Sequence, residues 1–155
     1  MSDTKKAWSL LAESVGDYSG RGINHEKQNF TGVLSLKFDF ENKSLSLVSS
    51  ATGDQGQVFH SERSWLGFDI TGSLVLYVVS NNHPAITPHL FNRLETGKDG
   101  EKKIVFRFGD IQDKNSFREE ININIFNDKS IEHFYSWGLP GGEFEPRSGS
   151  RMYGK

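Results

Sequence analysis

The sequence predicts an all-β protein: an antiparallel up-and-down β-barrel of about eight to ten strands, with one short N-terminal helix. Three observations carry this. Apolar residues recur at every second position along much of the chain. Turn-forming clusters separate the alternating runs at short, regular intervals. Only residues 4–15 show a helical period. Closing such a meander into a barrel removes its exposed edges. A sandwich is the alternative, but no connection is long enough to demand a Greek-key crossover.

In the first segment Trp8, Leu11, Ala12 and Val15 share one face of a helix. Asp3 or Thr4 supplies a cap and Gly16 a stop. A helix this short needs a surface to pack on. The period then changes to two. In 30-FTGVLSLKFDF-40 the even positions Phe30, Leu34, Leu36, Phe38 and Phe40 are apolar, and the odd ones are mostly polar. After 41-ENK-43, Leu45 and Leu47 alternate with serines in 44–51, which makes a hairpin. The same rhythm places strands at 17–24, 56–65, 73–80, 85–94, 102–109, 116–126, 130–137 and 144–153, with a short extra strand at 66–70. Gly- and Asn-rich turns such as 96-TGKDG-100, 127-NDK-129 and 138-GLPGG-142 fall between them.

At 155 residues the whole chain, 1–155, reads as one domain. Hydrophobic content is only 35%, but twelve Phe, four Tyr and three Trp supply bulk, which suits a thin-walled barrel. A formal net charge of -2 leaves no electrostatic footprint for nucleic acid. The absence of cysteine excludes disulfides, thiolate nucleophiles and cysteine metal sites. The opening residues have no signal-peptide pattern. No run approaches the roughly 20 apolar residues that span a bilayer. The expectation is a cytoplasmic protein with no membrane partner.

Two stretches carry the resemblance to a family. The opening AWSLLAESVGDYSGRG resembles the start of calycin-type barrels, where a short helix leads into a strand of the form G-x-W/Y-x-G; Gly16, Tyr18 and Gly20 fill that pattern. The end, FREEININIFNDKSIEHFYSWGLPGGEFEPRSGSRMYGK, resembles the closing hairpins of small bacterial barrels of the lipocalin and fatty-acid-binding-protein type. The resemblance implies a barrel that encloses a small apolar ligand. The nitrobindins, a related group of ten-stranded barrels, hold heme through a histidine on a late strand. His133 lies on such a strand, but the proline-rich nitrobindin opening is missing, so heme stands as an alternative cofactor.

Barrel strands point alternate residues into the lumen. Glu119 shares its phase with Ile121, Ile123 and Ile125, so it is either a buried structural ion pair or a ligand contact. In 131-IEHFYSW-137 the bulkier phase is Ile131, His133, Tyr135 and Trp137. Facing inward beside Glu119, it makes an apolar slot with hydrogen-bonding tips, the usual composition of a ligand site. His60 and Glu62 share a phase opposed by Phe59 and Trp65, and the alternation leaves open which set faces in. Arg147 follows Pro146 on the last strand and would suit a ligand carboxylate, whereas Arg107 opposes the apolar phase of its strand.

The sequence thus nominates Glu119, His133, Tyr135 and Trp137 as lumen contacts for a small-molecule ligand, with Arg147 and His60 behind them. Other chemistries have less support. The His-x-Glu of His60 and Glu62 lacks the Cys-x-x-C of zinc deaminases. A metal bound by His60, Glu62, His89 and His133 would draw its ligands from separate strands. There is no G-x-S-x-G, and no helix follows 20-GRG-22 to cradle phosphate. Two alternatives to ligand binding stand. One is an enzyme using Glu119 and His133 as acid and base. The other is a filled barrel serving as a protein-interaction module.

Overall fold

The computed structural model describes all of residues 1–155. Helix α1 spans Asp3–Ala12 and ten strands follow: β1 Gly16–Ile23, β2 Asn29–Asp39, β3 Ser44–Gly53, β4 Val58–Phe68, β5 Leu74–Ser80, β6 Thr87–Thr96, β7 Lys102–Phe108, β8 Arg118–Ile125, β9 Ile131–Gly138 and β10 Glu145–Gly154. Each strand pairs antiparallel with its sequence neighbour, and β10 closes on β1 through pairs such as Tyr18 with Gly154 and Gly22 with Ser150. The result is a closed ten-strand barrel with no free edge. No helix is long and apolar enough to cross a membrane.

Two local expectations are corrected. The extra strand at 66–70 does not form. β4 runs unbroken to Phe68 because Leu66, Gly67 and Phe68 continue its pairing with β5. The helix is shorter than its apolar spacing suggests and is capped one residue earlier, by Ser2, whose side chain accepts from the Lys5 N–H. It ends at Ala12. Ser14 Oγ donates to the Leu10 carbonyl, and the Tyr18 hydroxyl to the Ser14 carbonyl, which turns the chain into β1. Val15 is left outside the packed face, which consists of Ala7 and Leu11 with Trp8 against Phe68.

That packing makes α1 a plug. It covers the barrel end where β4 and β6 finish, and the lumen beside it is filled by leucines and isoleucines including Leu34, Leu66, Leu76, Ile121 and Ile123, all 1% exposed or less. The opposite end is framed by the β1–β2, β3–β4, β5–β6, β7–β8 and β9–β10 loops. Its wall is thinned where Gly22 faces Phe30: a Cβ there would collide with the phenyl ring. Gly22 thus allows the ring to lie flat against β1.

Candidate functional site

The open end encloses a cavity of about 420 Å³. Its walls are largely aromatic, with Phe30, Phe59, Phe117, Tyr135 and Trp137, and its mouth carries Asn24, His25, Glu26 and His83 from the rim loops. The volume lies within the ordinary range of small-molecule sites.

The floor is polar. Glu62 on β4 is 2% exposed and accepts three hydrogen bonds: from Ser64 Oγ at 2.6 Å, from the Tyr135 hydroxyl at 2.9 Å and from His60 Nε2 at 3.1 Å. The His60 tautomer follows from its other nitrogen, since Asn82 Nδ2 donates to Nδ1 at 3.0 Å. Burial alone would raise the Glu62 carboxyl. The hydrogen bond from His60, the charges that His133 and His60 carry when protonated, and the Ser64 hydroxyl outweigh it and hold the group at about 2. Burial, aided by the charge of Glu62, pushes the Tyr135 phenol well above its ordinary value, so the hydroxyl stays a donor. Burial also lowers the His133 imidazole, against the pull of Glu62. Glu62 is therefore a saturated anchor rather than an available base.

The second carboxylate is placed differently. Glu119 on β8 lines the cavity, and its Oε1 meets His89 Nε2 at 2.8 Å. The other nitrogen of His89 lies 3.2 Å from the Thr87 carbonyl oxygen. With Nε2–H donating to it, His89 fixes the Glu119 carboxylate in place. Glu119 Oε2 accepts no hydrogen bond within the chain.

The structure brings together four of the six sequence-nominated residues. Tyr135, Trp137, Glu119 and His60 line the cavity, with Glu119 opposite Trp137 in the β8–β9 register. His133 faces inward but beneath Tyr135, where its Nε2 is buried without a partner and the residue lines a second space of about 30 Å³. Arg147 is outside the lining. A register shift between Pro146 and Ser148 makes it the extra residue of a bulge. Its guanidinium lies 4.0 Å over the outer face of the Trp137 ring and donates to the Trp137 carbonyl. Glu119 and His133 do not pair, because His89 takes Glu119. No three His, Asp or Glu side chains stand in metal-binding geometry.

The phase left open for β4 is resolved: Glu62, Ser64 and Leu66 point inward and Trp65 outward. A second register shift, between Ala51 and Thr52, adds a residue to β4 and brings both Phe59 and His60 to the cavity. His25, His83 and Asn82 were not nominated as ligand contacts, and His89 was weighed only as a metal ligand. The signal of the first three was present only as polar residues in or beside turn segments such as 81-NNHP-84, which alternation cannot place. Arg118 was also missed. It is 1% exposed on the outer face and donates to the carbonyls of Ile111, Ser116, Leu139 and Gly142, so it ties two rim loops together.

No protein-family model matches the chain, and no curated protein sequence does. Among solved structures it is similar to that of Rv2717c from M. tuberculosis, with a TM-score of 0.73 and 12% identity over 96% of this chain and 97% of that one. At that identity the likeness is one of fold.

Proposed function

We propose that the protein binds a small amphipathic molecule in the open half of its barrel, in the manner of calycin-type barrels. The observation that carries this is the division of the lumen. One half is packed solid against α1, while the other keeps a cavity of about 420 Å³ with aromatic walls and a polar floor. A filled barrel acting through its rim would have no use for that space. Catalysis by Glu119 and His133 has no geometric support, because the two are not in contact and Glu62 is fully hydrogen-bonded. Heme held by His133 fits poorly: the residue lines a space of about 30 Å³, room for a water molecule but not for a porphyrin.

A ligand-detected NMR screen of a fragment library tests this reading, run on the native protein and on Ser148→Trp, which fills the cavity from β10. Hits that bind the native protein and are lost in a folded Ser148→Trp variant support it. Hits retained in that variant, or none at all, refute it.

A further inference from the structure

The chemistry of the cavity lining narrows the class of ligand, if the barrel binds a small molecule as proposed above. Nineteen residues line the cavity and none is lysine or arginine, whereas three are glutamates: Glu26, Glu62 and Glu119. The arginines at this rim are committed elsewhere. Arg118 spends its guanidinium on four backbone carbonyls, and Arg147 on the Trp137 and Glu143 carbonyls and the Glu145 carboxylate.

The donors grouped around Glu62 and His60 are spent too. The amide of Asn82 donates to the Phe59 carbonyl and to His60, while the Tyr135 hydroxyl and His60 Nε2 donate to Glu62. A ligand carboxylate entering here would lose its hydration and find no cation from lysine or arginine, only hydroxyls such as Ser80, Thr87 and Ser148 and the mouth histidines, with the Glu62 and Glu119 carboxylates close by. With no lysine or arginine to offset them, Glu26, Glu62 and Glu119 leave the lining negative. An anion is therefore repelled, and its lost hydration is only partly replaced.

What the cavity offers is an open acceptor beside aromatic faces. Glu119 Oε1 is held by His89, which fixes the carboxylate, while Oε2 has no partner. The rings of Phe117, Tyr135 and Trp137 stand among the same lining residues. Aromatic faces carry negative quadrupole density and attract cations and flat rings alike. Trp137 already stacks with a cation on its outer side, where Arg147 lies 4.0 Å from the ring centroid.

We propose that the ligand is a planar aromatic or heteroaromatic amine bound as its cation, with the charged nitrogen on Glu119 Oε2 and the ring among Phe117, Tyr135 and Trp137. The site discriminates against carboxylates of the same size, including fatty acids.

Three probes sharing one ring isolate the charge: tryptamine, 3-ethylindole and indole-3-propionate, titrated by ligand-detected NMR against the full chain. Tryptamine should bind about tenfold or more tighter than indole-3-propionate, the scale of one charge-assisted hydrogen bond, with 3-ethylindole between them. Glu119→Gln keeps an acceptor for His89 and removes the charge. It should reduce the tryptamine preference to a few-fold at most and leave 3-ethylindole unchanged, with an unaltered melting curve showing that the variant folds. Equal affinities for the three probes, or tightest binding by the carboxylate, overturns the amine assignment and leaves a ligand-binding barrel standing. So does a tryptamine preference that survives Glu119→Gln. Failure of all three to bind counts against both the amine assignment and the small-molecule reading beneath it.

Discussion

The hydroxyl of Tyr135 donates to Glu62 Oε2 at 2.9 Å across the barrel lumen. β9 and β4, which carry them, are as far apart as two strands of this ring can be, with β5 to β8 on one side and β10 and β1 to β3 on the other. The bond is a crossbeam. Above it lies the cavity, below it the buried His133 and then the apolar core. A carboxylate this deep is tolerable only because its oxygens are satisfied by three donors.

Tyr135→Phe removes one of those donors and keeps the ring. The remaining Glu62 oxygen loses a hydrogen bond in a dry setting, so the variant should be destabilised by about 1–3 kcal/mol in urea unfolding. A loss below about 0.5 kcal/mol, typical of an exposed position, would mean the crossbeam does not form in solution.

Stability should fall on acidification in two stages. The His133 imidazole is lowered from 6.5, so below that pH the unfolded chain takes up a proton the folded chain resists, and stability declines as pH drops. The Glu62 carboxyl is lowered from 4.5 to about 2, so its contribution is complete above pH 4.5 and is lost as pH falls through about 2, for roughly 3 kcal/mol in all. Urea unfolding between pH 7.5 and about 2 measures both limbs. His133→Asn should flatten the upper limb and Glu62→Gln the lower; a profile insensitive to both substitutions would contradict this electrostatic picture.

The parts of the site legible in the sequence are those where strict alternation survives. The inward phase of Ile121, Ile123 and Ile125 carries Glu119 with it, and the tight turn after Phe126 sets the β8–β9 register that puts Trp137 opposite Glu119. Legibility ends at the bulges. One extra residue at Phe59 and another at Arg147 break the period of two, and neither leaves a trace in a pattern of apolar and polar residues. The outer face of β8 misleads for a different reason. Arg118, Glu120 and Asn122 are polar and outward yet buried, because rim loops cover Arg118, and Arg93 and Arg107 cover Glu120. Such cover comes from parts of the chain distant in sequence, which local periodicity cannot register.

Arg118→Leu should release the rim. Its four carbonyl partners lose their common donor, and the loops at 110–116 and 139–144 should become sites of limited proteolysis, with roughly 2–4 kcal/mol of stability lost. The link between them has one other backbone bond, from Gly141 N to the Lys114 carbonyl at 2.7 Å. Unchanged cleavage at both loops would show that Arg118 is not the clamp.

Hemin added to the protein should give no specific Soret shift, and His133→Ala should leave its spectrum unchanged, because the imidazole lies beneath Tyr135 and away from the large cavity. A sharp Soret band that His133→Ala abolishes would revive the heme alternative.

The central claim is that the open half of the barrel is a ligand chamber. Native mass spectrometry of the protein as purified from cells tests it most directly. The account predicts a discrete mass excess over the 155-residue chain that disappears on denaturation and is absent from Ser148→Trp. The bare chain mass alone in every charge state, or an excess that persists when the cavity is filled, would contradict it.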